Sequence, residues 1–187
     1  MPAYVALLRG INVGGHHKMP MPRLREICVS LGLADVATYI QSGNVVFSSS
    51  EDDGAQLGER IEEAVIGAFG FEVPIVMRSA PQLRAVLTAN PFLAGGADAA
   101  VLSVGFLGAL PEPAAVGKLL ADPLARPAAG GDEFTVVAQE VFLYHPNGYG
   151  RTKLTSSFFD RRLGTTMTVR NWRTVMTLVD MVGQLGR

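Results

Sequence analysis

One short link constrains this fold more than any other feature: Gln41-Ser42-Gly43-Asn44 separates the β-rich run of residues 36–40 from Val45-Val46-Phe47. A Gly/Asn-containing connection this short makes a hairpin, and hence antiparallel neighbours, because parallel strands need a crossover of about a dozen residues or more. A helical pattern lies on each side of that hairpin. Residues 21–31 place Leu24, Ile27, Cys28 and Leu31 at helical spacing, with Gly32 positioned to end the helix. Residues 55–69 place Leu57, Ile61, Val65 and Phe69 along one face, with Gly70 as the stop. Apolar runs at residues 3–9 and 73–77 complete the order β-α-β-β-α-β. That order predicts a ferredoxin-like arrangement, an antiparallel sheet carrying two helices on one face.

The remainder of the chain reads the same way. Ser79-Ala80-Pro81 opens a helix running to about Thr88, and Asn90-Pro91 stops it. A strand over 100–107, a helix over 112–121, a Pro/Gly-rich loop over 122–132 and a strand over 133–138 follow. The Gln139-Glu140 turn leads to a strand over 141–145, a helix over 151–163 and a strand over 166–169. Asn171 is placed to cap a final helix, about 172–184, with Trp172, Val175, Met176 and Val179 on one face. Leu154, Phe158, Trp172 and Val175 are expected in the core of the second half or against the first half. The expected fold class is therefore α+β, a duplicated ferredoxin-like fold with a C-terminal helix. Its parts are residues 1–79, a connecting helix and loop over 80–99, and residues 100–187. The halves share no residue-level identity, so duplication rests on element order alone.

The stretch Arg9-Gly-Ile-Asn-Val-Gly-Gly-His-His-Lys18 joins the first strand to the first helix. Its glycines allow close backbone approach, and Arg9 and Lys18 bracket it with positive charge, as an anion site at a helix N-terminus requires. At least one of Gly14 and Gly15 is expected at positive φ or against a ligand. In a ferredoxin-like sheet the end of strand one and the central hairpin share an edge. That groups Arg9, Gly10, Asn12, Gly14, Gly15 and Lys18 with Gln41, Ser42 and Asn44. The corresponding argument in the second half groups residues 147–153 with 170–172, and so Arg151, Lys153, Arg170 and Asn171. Each set suits phosphate or carboxylate. The five cations Arg9, Lys18, Arg151, Lys153 and Arg170 are expected to line one cleft. The competing reading has the glycines serving turns, the asparagines satisfying backbone and the arginines solvated.

Charge supports a local site. The net charge is −1, but residues 1–32 hold four Arg/Lys against one Glu, residues 48–140 hold five against thirteen Asp/Glu, and residues 145–175 hold six against one Asp. A nucleic-acid protein of the ordinary sort is basic throughout, so that class is the weaker alternative. At 48% hydrophobic the 187 residues can bury a core. No apolar run reaches the length of about 18 residues needed for a membrane span, and no signal-like segment opens the chain, so a cytoplasmic protein without a membrane partner is expected. The single cysteine, Cys28, sits in a helical apolar pattern and reads as core.

Several chemistries are disfavoured. Gly10 and Gly15 have P-loop spacing, but His16-His17 stands where Lys-Ser/Thr belongs. No GxGxxG follows a strand. Adjacent histidines on an extended chain point apart, so no metal is expected. Ser42 has no evident activating base, and the third strand offers Phe47 as a lone aromatic, short of the stacking pattern of RNA-binding sheets. Titratable candidates at the edges are His16, His17, Lys18 and Lys153.

Residues 8–15 (Leu-Arg-Gly-Ile-Asn-Val-Gly-Gly), residues 39–47 (Tyr-Ile-Gln-Ser-Gly-Asn-Val-Val-Phe) and Arg170-Asn171-Trp172 together closely resemble the bacterial family known as domain of unknown function 1697. The resemblance implies a duplicated ferredoxin-like α+β fold and brings no established activity. The family pattern usually has a lysine near His16 and a single polar residue at His17, so the resemblance does not make the His-His pair a family catalytic feature. The expected function is binding of a phosphorylated or other anionic small ligand at the glycine-rich basic loop, with enzyme or binder undecided and no cofactor or oligomeric state indicated. The alternatives are a nucleic-acid-binding module and a structural or self-association protein.

Overall fold

The computed structural model describes residues 1–125 and 131–185; residues 126–130, inside the expected Pro/Gly-rich loop, and the last two lie outside the described residues. The described residues fall into two compact units, residues 1–85 together with those from Thr177 onward, and Val86–Met176.

In the first unit the elements are β1 (Ala3–Leu8), α1 (Met21–Ser30), β2 (Ala34–Tyr39), β3 (Asn44–Ser48), α2 (Gly54–Phe69) and β4 (Ile75–Ser79). The sheet is antiparallel in the order β2-β3-β1-β4. All six residues of β1 are buried, as an unbroken apolar run at a sheet centre requires when both faces are covered. Tyr4, Ala6, Leu8, Val45 and Phe47 meet Leu24 and Cys28 of α1 and Leu57, Ile61 and Val65 of α2 in one core. The Asp53 carboxylate accepts from the Ala55 and Gln56 amides, and Gly70 leaves α2 at φ 75°. β4 starts two residues later than its apolar run suggests. Pro74 has no N–H for the ladder, and its carbonyl instead accepts from Arg9 N at 3.0 Å. Ser79 and Gln82 then form a reciprocal cap on α3 (Ala80–Ala89).

The second unit contains α4 (Pro91–Ala94), β5 (Leu102–Leu107), α5 (Pro113–Ala121), β6 (Glu133–Val137), β7 (Glu140–Tyr144), α6 (Ser156–Leu163) and β8 (Met167–Asn171). Its antiparallel sheet has the order β6-β7-β5-β8. Leu107, Leu119, Val141, Leu143, Leu154, Phe158, Phe159 and Met167 form its core, so Leu154 and Phe158 lie where expected. The final helix, α7 (Trp172–Leu185), buries Trp172 and Val175, and Asn171 Oδ1 accepts from Thr174 N at 2.8 Å as its cap. Both sheets belong to a mixed α+β fold, with six helices of eight residues or more among the described residues.

Three local expectations need correction. α6 starts at Ser156, not near residue 151, because Gly148 and Gly150 favour a 3-10 turn over Tyr149–Arg151, Thr152 Oγ1 captures Leu154 N, and Thr155 supplies the cap. The β6–β7 turn is Ala138-Gln139, one residue early, with Ala138 at φ 52°. Met176 is exposed, since it falls off the buried stripe of α7 that Val175, Leu178 and Val182 define.

Candidate functional site

Left-handed residues accumulate where β1 ends. Gly10, Asn12, Gly14, Gly15 and His17 all have positive φ, and across the edge so do Ile40 and Gly43. Between them residues 13–16 form a miniature hairpin: His16 N donates to Val13 O and Asn12 N to His17 O, each at 3.1 Å. Gly14 (φ 59°) and Gly15 (φ 80°) are its two central residues, and positive φ at both is the signature of a type I′ turn. The glycines therefore belong to that turn and not to the first turn of α1. Helix α1 begins beyond Pro20 and carries Pro22, which has no amide to offer an anion.

Asn12 holds this loop in place. Its Nδ2 donates to Met19 O and to Gln41 O, each at 2.9 Å, while its Oδ1 accepts from Met19 N at 2.8 Å. Leu8 N donates to Gly43 O at 2.8 Å. A Cβ at Gly43 would stand 2.6 Å from Leu8 Cβ, so nothing larger fits. Asn44 is buried and donates to Tyr39 O and Ser42 Oγ, each at 3.0 Å. The end of β1 and Asn12 thus meet the β2–β3 hairpin at Gly43 and Gln41. A third segment joins them: His17 stacks on Phe71 at 4.5 Å and 15°, Phe71 contacts Phe69 at 5.8 Å, and Arg9 N is bound to Pro74.

Residues 9–25 contain four Arg/Lys, two His and no carboxylate. Arg23 pairs with Glu26 at 3.0 Å and Arg25 donates to Thr38 Oγ1 at 2.7 Å. Arg9 is half-buried where the loop leaves β1, while Val13, His16, His17 and Lys18 are exposed, as is Ile40.

In the second unit the start of β5 pairs with the ends of β7 and β8, so residues 145–153 and Asn171 share an edge. Arg151 and Lys153 are exposed there. Arg170 is buried: its Nη1 donates to Thr168 Oγ1 and Val169 O, each at 2.9 Å, and burial pushes the guanidinium down to about 10. It stays protonated at neutral pH. Cys28 is fully buried and its thiol is pushed up to about 12, which makes it inert packing. Among the described residues no three His, Cys, Asp or Glu side chains gather as a metal cage requires, and no helix is long and apolar enough to cross a membrane.

The family described as "Protein of unknown function (DUF1697)" matches residues 1–142. The chain belongs to this family. No curated protein matches. Among solved structures, the conserved bacterial protein SP0830 from Streptococcus pneumoniae is similar, at 27% identity and a TM-score of 0.74, over 97% of this chain and 98% of that one. The DUF1697 match includes the whole glycine-hairpin edge and leaves Arg170 and Asn171 outside it.

Two features escaped sequence reasoning. His145 is buried, its Nδ1 lies 3.6 Å from Asp132 Oδ1, too far for a hydrogen bond, and Tyr149 meets it edge-on at 5.2 Å. Burial holds it below the ordinary histidine value, with Asp132 opposing. Its setting, His145-Pro146-Asn147-Gly148, signals only a turn. The other is a cavity of about 540 Å³ between α5 and α6, lined by Lys118, Arg161 and the Arg162–Asp122 pair at 2.7 Å. Helical periodicity marks buried stripes and carries no signal for a groove of this kind.

Proposed function

We propose that this chain binds a phosphorylated or other anionic small molecule at the glycine-hairpin edge of its first unit. One observation carries the reading: Arg9 and Lys18 flank a loop that has no carboxylate from residue 9 to residue 25, and Asn12 fixes that loop before any ligand arrives. A preorganised cationic loop binds anions without first spending free energy on ordering itself. Gln41, Ser42 and Asn44 act by holding the edge together, so Arg9, Lys18 and the amides near Gly10, Gly14 and Gly15 are the direct contacts. Arg151, Lys153 and Asn171 offer a second, weaker edge in which buried Arg170 supports the strand end. Titration with inorganic phosphate at low salt tests the reading. Phosphate should raise the melting temperature of the wild type and much less that of Arg9→Ala/Lys18→Ala. Equal melting temperatures with and without millimolar phosphate would end it.

Each half is further inferred to be ferredoxin-like and the pair to be a duplication, with residues 1–79 and 100–187 as the halves and 80–99 as the connection. Equivalent hydrogen bonds support this. Leu8 N to Gly43 O and Leu107 N to Gln139 O occupy matching positions, as do Arg9 N to Pro74 O and Gly108 N to Thr166 O. Arg78 and Arg170 sit at matching rungs opposite Val5 and Val104, each bound to the preceding carbonyl. A small-ligand role in the cytoplasm accords with the lone buried cysteine.

A further inference from the structure

The ligand of the glycine-hairpin edge must satisfy more than its charges. His17 is exposed, yet one face of its imidazole lies against Phe71 at 4.5 Å and only 15° from parallel, with Phe69 behind. Among the described residues no second ring meets the opposite face. An exposed side chain ordinarily samples several rotamers, but here the stack on Phe71 orients the ring. The backbone reinforces this: His17 sits at φ 48°, a conformation costly for a non-glycine residue, and its carbonyl is tied to Asn12 N at 3.1 Å. Strain of this kind persists where surrounding contacts over-determine it. Lys18 is the next residue, and the backbone N–H of Arg9 is fastened to Pro74, three residues beyond Phe71, with exposed Glu72 between them in the chain.

A flat π-face on a loop that carries two cations fits a ligand with a planar ring at one end and a phosphate at the other. Resting on the anion-binding reading above, we propose that the ligand is a mononucleotide whose base stacks on the face of His17 opposite Phe71 while its phosphate meets Arg9 and Lys18. Stacking on an aromatic tolerates any base, since every base has a π-face, so selectivity among bases is expected to be weak. A single platform accommodates one base, which favours a mononucleotide over a strand.

Calorimetry at low salt with inorganic phosphate, ribose 5-phosphate, adenosine 5′-monophosphate and adenosine separates the two layers of the argument. The nucleotide should bind roughly tenfold or more tighter than ribose 5-phosphate. That margin should vanish in His17→Asn, which tolerates positive φ but has no ring, and survive in His17→Phe. Independently of any variant, the adenine protons of the wild-type complex should shift upfield in NMR as they enter the imidazole ring current. Equal affinity for the nucleotide and ribose 5-phosphate, or a margin that persists in His17→Asn, would overturn the base-stacking proposal and leave anion binding intact. Failure of phosphate, ribose 5-phosphate and nucleotide alike would overturn both. A short single-stranded RNA binding far tighter than the mononucleotide, with a steep salt dependence, would reassign the site to a nucleic-acid strand.

Discussion

Asn12 and Gly43 are the residues on which the edge depends, and they differ in how far the sequence announces them. A hairpin glycine is expected from the link alone, whereas the reason for Gly43, contact with Leu8 and Ile11, exists only once β1 and β3 have paired. Gly43→Ala should cost about 1–3 kcal/mol, from overpacking added to unfavourable φ, in urea unfolding. Asn12→Gly keeps the left-handed backbone but removes three hydrogen bonds, so it should lose about 1–3 kcal/mol and loosen the loop. Unchanged amide exchange at Met19 in that variant would contradict the role given to Asn12. The positive φ at Gly14 and Gly15 was legible from residue type; the burial of His145 was not, because tertiary neighbours create it. In the unfolded chain His145 titrates near 6.5, while in the fold burial holds its value lower. Its contribution is therefore fully present above about pH 6.5 and declines as the unfolded chain, but not the folded one, takes up a proton. Urea midpoints at pH 8 and pH 5.5 should show a larger acid loss for the wild type than for His145→Phe. Equal losses would show that the buried imidazole carries none of the pH dependence.

Elements were legible where local chemistry and periodicity agreed, and illegible where backbone competition decided. α2 has an Asp cap, a 3.6-residue apolar stripe and a left-handed glycine stop, and all three signals point to the same span. α6 has no such agreement at its start, since Thr152 and the glycines at 148 and 150 draw the backbone away from helix until Thr155. The glycine-rich loop shows the same limit from the other side. Its composition suits either a cradle at a helix start or a tight hairpin, and the Asn12 contact to Met19 decides for the hairpin. α7 is capped as read, so Asn171→Ala should cost about 1 kcal/mol of stability. Trp172→Ala should cost more, about 3–5 kcal/mol, because the indole is buried. Comparable losses for the two variants in urea would mean that the indole site collapses on truncation.

At the scale of the whole molecule, sequence order and compactness diverge. A split by element order assigns the final helix to residues 100–187, yet the residues from Thr177 onward group with residues 1–85. Nothing local in α7 announces this, because an amphipathic helix records that it has a partner and not which one. Leu178, Val179 and Val182 are all buried, and β1 is buried on both faces. A buried side chain of this size stabilises by about 1.5–3 kcal/mol, so losing three approaches the total stability of an ordinary domain. Ending the chain after Met176 should therefore damage the first unit, although the deletion is about a hundred residues from it in sequence. Hydrogen exchange measured on both chains reads this directly. Amides of β1 and β3 should lose more protection than those of β5 and β7, whose unit retains all its own residues. Greater loss in β5 and β7 would return the final helix to the second unit, in line with element order.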